Sequence, residues 1–374
     1  MTKARDLADF LGDNTSLSTI NNAYAAGTLV PSSTNPSLII NGDMLINQRN
    51  AVFTNPNGVF PVDRFGVEQY VSTTTTQQST TAPSGYSNSL LVTNGNAYTP
   101  TSANFTYRVY QNIEGFNTAP LLFGTSSAKT ITISFWVRSS LTGTFGVAIQ
   151  NSAQDRSYVS TYTITQANTF EKKTITITGD TAGTWIGATN GVGLRLIFDL
   201  GSRANRTASS ANAWETGNFS RVSGCVEINS TTGATFYVTG VKLEEGSEAT
   251  DFQHILYPEE LTKCKRYYQV YGGSGNYHAF ASVGTYNPSS GVGYLDLEVT
   301  MRTVPTGSTV GTFQASNGVT SACGVNLSGF AEPDGGCKLI QVHAHSGSNF
   351  INGYFMRVRA NNDATTRLKF DAEL

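Results

Sequence analysis

The sequence predicts an all-β protein built as a β-sandwich followed by a second, smaller β-sandwich, with a short helix at the N-terminus. Three observations predict it. Apolar and polar residues alternate with a period of two over many short stretches, the pattern of strands with one buried face. Clusters of Gly, Asn, Ser and Thr separate those stretches, as turns do. Helical spacing is confined to two short segments.

The elements follow in chain order. Leu7, Phe10 and Leu11 share one face of a helix over Ala4 to Leu11, stopped by Gly12, Asp13 and Asn14, so a short docking helix is expected. Thr28 to Pro36 is rich in Pro, Ser, Thr and Asn and reads as a linker. Ile131, Ile133, Phe135 and Val137 alternate with Thr132, Ser134, Trp136 and Arg138, the strongest strand pattern in the chain. Phe145 to Ile149, Lys173 to Thr178, Leu194 to Leu200 and Ala234 to Leu243 repeat it, and together they predict an enclosed, jelly-roll-like body. Pro258 to Tyr268 breaks the alternation and predicts a helix with Pro258 in its first turn, where a missing N–H costs nothing. Beyond it, Tyr267 to Val270, Gly293 to Met301, Cys337 to His343, Tyr354 to Ala360 and Arg367 to Leu374 alternate again. The expected organisation is therefore an N-terminal segment over 1–30, a jelly-roll-like sandwich over 31–256 and a second, smaller sandwich over 257–374.

At 374 residues the chain is long enough to bury a core in each of two domains. Charged residues make up 13%, about half the usual share, and 24 basic against 26 acidic residues give a net charge of -2. That balance argues against nucleic acid as a partner. No apolar run approaches the roughly 18 residues of a membrane-spanning helix, so membrane insertion is not expected. Thr2 to Asp9 lacks the apolar stretch of a secretory signal, which implies synthesis and folding in a cytoplasm. In that reducing setting Cys225, Cys264, Cys323 and Cys337, with no C-x-x-C spacing, read as free thiols.

Several strings resemble bacteriophage tail-fibre proteins of podovirus-like phages. They are TKARDLADFL (Thr2 to Leu11), NGDMLINQR (Asn41 to Arg49) with VDRF (Val62 to Phe65), AWETGNFS (Ala213 to Ser220), the block from Thr235 to Gln269, and VTMRTVPT (Val299 to Thr306). The resemblance implies a virion structural protein with a carbohydrate-binding-module-like sandwich, usually trimeric, whose opening strand is the Asn41 to Arg49 run. It implies a virion-attachment role for the segment 1–30, with Leu7, Phe10 and Leu11 as its particle-attachment residues and a tail or adaptor protein as its partner, a receptor-facing sandwich over 257–374, host surface glycan as ligand, and the virion as location.

Catalytic signatures are absent: no G-x-S-x-G, Walker loop or H-E-x-x-H occurs. The acids fall mostly at turns, with Glu244, Glu245 and Glu248 expected in solvent after Leu243. No enzyme activity and no cofactor are expected. The alternatives are a head- or connector-attached decoration fibre without a receptor role and a tailspike that cleaves polysaccharide. Sugars stack on aromatic faces, so Trp185, between Gly183 and Gly187, and the loop pair Tyr277 and His278 are the candidate glycan contacts. Most other rings lie on alternating strands and read as core. His343 and His345 project to one strand face, a spacing that can hold a metal ion but is commoner in solvent-facing pairs. With no charged cluster visible, neutral or zwitterionic glycans are the expected ligands.

Overall fold

The computed structural model describes residues 35–374, apart from 70–72, 318–319 and 348–349. The expected N-terminal helix, with Leu7, Phe10 and Leu11, lies outside the described residues. The rest is an all-β molecule, as the alternation predicts.

Ile131–Ser139 sends Ile131, Ile133, Phe135 and Val137 inward, each fully buried. It pairs antiparallel with Glu171–Ile177 and Thr235–Glu245, and the sheet continues through Ser89–Thr93, Thr75–Ser79 and Phe53–Thr54 to six strands. The opposing sheet has seven strands, in the order Ala213–Thr216, Arg156–Ile164, Gly143–Gln150, Val192–Asp199, Tyr107–Glu114, Phe65–Gln69 and Asn57–Val62. The two inner faces form the larger core, in which the Phe135 ring meets Phe198 and Tyr162 edge-on at 4.9 and 5.0 Å. Burying each such side chain stabilises the fold by about 1.5–3 kcal/mol before chain entropy is counted. This is the jelly-roll-like sandwich expected from the sequence.

The Asn41 to Arg49 run is not its opening strand. Asn41 and Met44 take positive φ values of 61° and 59°, which breaks extended alternation. The segment is held instead by the buried Asn41 side chain, which donates to the Ile46 and Asp63 carbonyls and accepts from the Ile46 N–H. Glu244 also departs from expectation: it is buried, not solvated, because Lys242 at 3.1 Å and the Thr250 N–H and hydroxyl satisfy its carboxylate.

The helix at Tyr257–Lys265 carries Glu259 and Glu260 in its first turn and Lys263 and Lys265 in its last, the arrangement a helix dipole favours. It leads into a second all-β module with a core of its own. Alternation does not distinguish an open sheet from a closed one, and here the larger sheet closes into a barrel. Its strands run Ala279–Asn287, Ser290–Met301, Cys337–His345, Thr320–Ala331, Phe313–Ser316 and Phe355–Ala360 around the ring. A three-stranded sheet of Tyr268–Gly272, Arg367–Asp371 and Thr306–Val310 packs Leu368 and Phe370 into the same core. Ring closure removes the edges that two facing sheets would leave open.

Ser37–Leu374 form one compact unit, and a buried ionic network joins its sandwich to its barrel. Arg64, 1% exposed, lies 3.4 Å from the Tyr267 ring and pairs with Glu373 while donating to the Asn112 carbonyl. Arg49 stacks on Tyr268 at 3.7 Å and reaches Asp371, Glu373 and Asp63 at 2.9, 3.5 and 3.7 Å. Arg266 holds Glu114 through two 2.8 Å bonds, and the Tyr267 hydroxyl donates to the same carboxylate. Arg302 closes the junction by donating to the carbonyls of Ala372, Asn190 and Glu373. Arg64 of VDRF, Arg266 and Tyr267 of the Thr235 to Gln269 block and Arg302 of VTMRTVPT thus form the lock between the modules.

Candidate ligand-binding groove

The outer face of the seven-stranded sheet carries a polar groove. On Tyr107–Glu114 the residues Tyr107, Val109 and Ile113 fill the core, so Arg108, Tyr110 and Asn112 face the other way. Antiparallel register sets Arg195 opposite Asn112 and Glu68 opposite Arg108. Asn57, Gly58, Gln154, Arg206 and Leu374 complete a cavity of about 360 Å3, within the range of small-molecule sites.

Tyr110 forms the floor. Its ring lies across Gly66 of the next strand, where an added Cβ would stand 2.4 Å from the ring, so only glycine admits this pose. Phe60 meets the ring edge-on at 6.1 Å and the Arg195 guanidinium lies 5.5 Å from its centre. Burial, with the nearby Glu68 carboxylate, pushes the Tyr110 hydroxyl up to about 12, so it stays protonated.

The arginines are held by neighbours. Arg108, 3% exposed, donates from Nε to Glu68 at 2.8 Å and pairs with it through Nη2 at 2.7 Å. Arg195 donates from Nε to Asn112 Oδ1 at 2.7 Å, while Asn112 donates to the Leu374 carbonyl at 2.8 Å. Burial and the like charge of Arg108 push Arg195 down to about 10, so it remains a cation at neutral pH. Gln154, at φ 57°, is fixed at the rim by accepting from Asn218 at 2.8 Å. The expectation that no charged cluster is offered is therefore corrected: pairing brings together arginines that are far apart in sequence. The signal was present only as the alternation of Arg108, Tyr110 and Asn112, with no motif to mark it.

The sequence-selected residues lie elsewhere. Trp185 is half-buried in a ring cluster with Phe123 at 4.9 Å and Trp214 at 5.5 Å, and its indole N–H donates to the Ala182 carbonyl at 3.2 Å. The cavity beside it, lined by Leu121, Phe123 and Ile186 among others, is about 50 Å3, room for a few waters. Tyr277 is exposed in a barrel loop with the Arg359 guanidinium 5.1 Å from its ring, and His278 lies 5.0 Å from Phe280. His343 and His345 lie side by side on the barrel strand at 6.1 Å, and the Tyr286 hydroxyl is 3.2 Å from His343 Nε2. Among the described residues no group of three or more His, Cys, Asp or Glu gathers as metal ligands do. The four cysteines are free thiols. Among the described residues no helix is long and apolar enough to cross a membrane.

No protein-family profile and no curated protein sequence matches the chain. Solved structures do align with it. The enzymatically active domain of tailspike protein 4 of bacteriophage CBA120 aligns at 12% identity and a TM-score of 0.28, over 52% of this chain and 21% of that one. A protein from Bacteroides thetaiotaomicron described as sugar-binding aligns at 13% identity and a TM-score of 0.32, over 56% of this chain and 100% of that one. A family 11 carbohydrate-binding module from Clostridium thermocellum, in complex with a mixed-linked β-1,3-1,4 tetrasaccharide, aligns at 12% identity and a TM-score of 0.27, over 53% of this chain and 96% of that one. This chain spans about a fifth of the tailspike chain.

Proposed function

We propose that this chain is a glycan-binding, non-catalytic structural subunit of a phage tail fibre, acting in adsorption to the host surface. The groove carries the proposal. It joins a tyrosine floor with the planar side chains of Asn57, Gln154 and Arg195, whose hydrogen-bonding groups suit the hydroxyls of a sugar. Glycoside cleavage in most families needs two carboxyl groups about 5–10 Å apart. Among the described residues lining the groove one side-chain carboxylate stands, Glu68, and it is committed to Arg108.

Assembly into a homotrimer is part of the proposal. The exposed rings of Tyr294 and Phe330, 6.2 Å apart on the outer wall of the barrel, offer apolar surface for further copies. Repeated weak contacts in such an assembly raise avidity without a tight single site. Titration of the purified chain against a glycan panel, with reducing-sugar release followed in the same samples, tests the function. Binding without release supports it; release of reducing ends would replace it with a depolymerase.

A further inference from the structure

On the barrel strand Phe355–Ala360 the residues Met356, Val358 and Ala360 fill the core, so Phe355, Arg357 and Arg359 stand on the outer wall. Strand register supplies their neighbours on both sides. Arg357 lies between Ser282 and Ser316, and Arg359 between Ala279 and Gln314, so no carboxylate flanks either guanidinium across the wall. Among the described residues neither arginine makes a hydrogen bond or an ion pair. Asp363, in the loop that follows the strand, is spent on the N–H and hydroxyl of Thr365 and on the Thr312 N–H. Arg359 is nevertheless held in place: its Nε is buried, and its guanidinium lies 5.1 Å from the centre of the Tyr277 ring. Its Nη1 and Nη2 are neither buried nor bonded, which leaves the planar fork open to solvent. The two cations stand about 7 Å apart along one strand face, and folding leaves their charge uncompensated. Exposed rings bound the pair at its two ends, Tyr277 at 53% and Phe355 at 79%.

We propose that this wall of the barrel is a second glycan site, specific for acidic sugars, with an oxyanion on the sugar held by the forks of Arg357 and Arg359 and the sugar ring against Tyr277. The inference rests on the glycan-binding reading and adds to it a site of one chemical class, on the other module from the groove. The shared chemistry is a planar or tetrahedral oxyanion, from a uronic acid carboxylate or from a sulfate ester, which a guanidinium fork bonds in pairs. Ser282 and Ser316, beside Arg357, are further donors for its oxygens.

Calorimetric titration of the full chain against a trigalacturonate, a sulfated galactan trisaccharide and a neutral galactan trisaccharide, each at low and high salt, tests it. At least one acidic probe is expected to bind, with affinity falling as salt rises. Whichever acidic probe binds tighter identifies the source of the oxyanion. Arg357→Gln and Arg359→Gln are each expected to weaken that binding about ten-fold and the double variant to remove most of its salt dependence, while binding of the neutral probe stays as in the parent. Lys172→Gln, at an exposed cation of the sandwich, leaves both unchanged. Arg357 is exposed, so its variant serves even where Arg359→Gln folds poorly. An acidic probe bound equally by parent and Arg357→Gln would place that binding off this wall and overturn the inference, leaving glycan binding standing. A neutral probe that binds where neither acidic probe does would have the same consequence. Inorganic sulfate bound as tightly as either acidic probe would make the wall a site for free anions and overturn it too. No binding of any sugar across a wider panel would remove both this inference and the glycan-binding reading.

Discussion

Two groups of arginines lie along the outer face of the strand Tyr107–Glu114, one at the junction and one in the groove. At the junction, Arg49, Arg64 and Arg266 each reach a carboxylate. In the groove, Arg108 pairs with Glu68 and Arg195 donates to the neutral Asn112 amide. The contrast is one of pairing: at the junction charges neutralised by carboxylates hold modules together, whereas Arg195 in the groove is held by a neutral amide. A buried pair is costly to break from one side because the survivor keeps its desolvation penalty, and an under-neutralised arginine carries that penalty in the native state.

The largest effect is expected at Glu373. Replacing it with Ala strands Arg64 in a buried site, and urea unfolding at pH 7 should show a loss of about 4 kcal/mol. A loss below about 1 kcal/mol would mean that the junction is not held by its ion pairs. Glu114→Gln comes next, since it weakens two bonds to the half-exposed Arg266 and one to Tyr267. About 2 kcal/mol is expected in the same assay.

The junction should also respond to acid. Burial raises the Asp63 carboxyl to about 6 against its ordinary 3.8, despite Arg49 and the Gln48 hydrogen bonds that oppose the rise. The folded state therefore binds the proton more tightly than the unfolded chain, and this group's contribution to stability falls as pH rises from about 4 to about 6. Asp63→Asn should flatten that part of the stability profile, measured by urea midpoints across the window. An unchanged slope would place the titration elsewhere.

The groove should behave oppositely under mutation. Arg195→Gln removes a cation that donates to a neutral amide, so stability is expected to stay within about 1 kcal/mol of the parent. A loss as large as that of Glu373→Ala would erase the distinction between the two groups. The smallest effect belongs to the exposed Lys129–Glu245 pair at 2.9 Å: Lys129→Ala should change stability by less than about 0.5 kcal/mol.

Legibility in the sequence followed which faces are covered. Ile131–Ser139 was readable because its inward residues are uniformly aliphatic or aromatic. Tyr107–Glu114 was not, since both of its faces are buried, one in the core and one under the groove and junction, which lets Arg, Gln, Asn and Glu occupy buried positions. Arg266, Tyr267 and Tyr268, inside the block from Thr235 to Gln269 that stands out in the sequence, lie at the junction of the modules. The groove went unread because Glu68, Arg108, Arg195 and Arg206 are single residues on separate strands and loops. Trp185 and Tyr277 stood out as large rings among glycines, but isolation in sequence says nothing of which rings pack together in space.

Local chemistry alone settled the all-β character, the strand positions with strong alternation, and the helix introduced by Pro258, because side-chain periodicity and proline geometry act over a few residues. Closure of the second sheet into a barrel, the sharing of carboxylates among distant arginines and the groove itself were decided only by the tertiary structure. Each depends on strand order and register, and these are set by how whole faces are buried against one another.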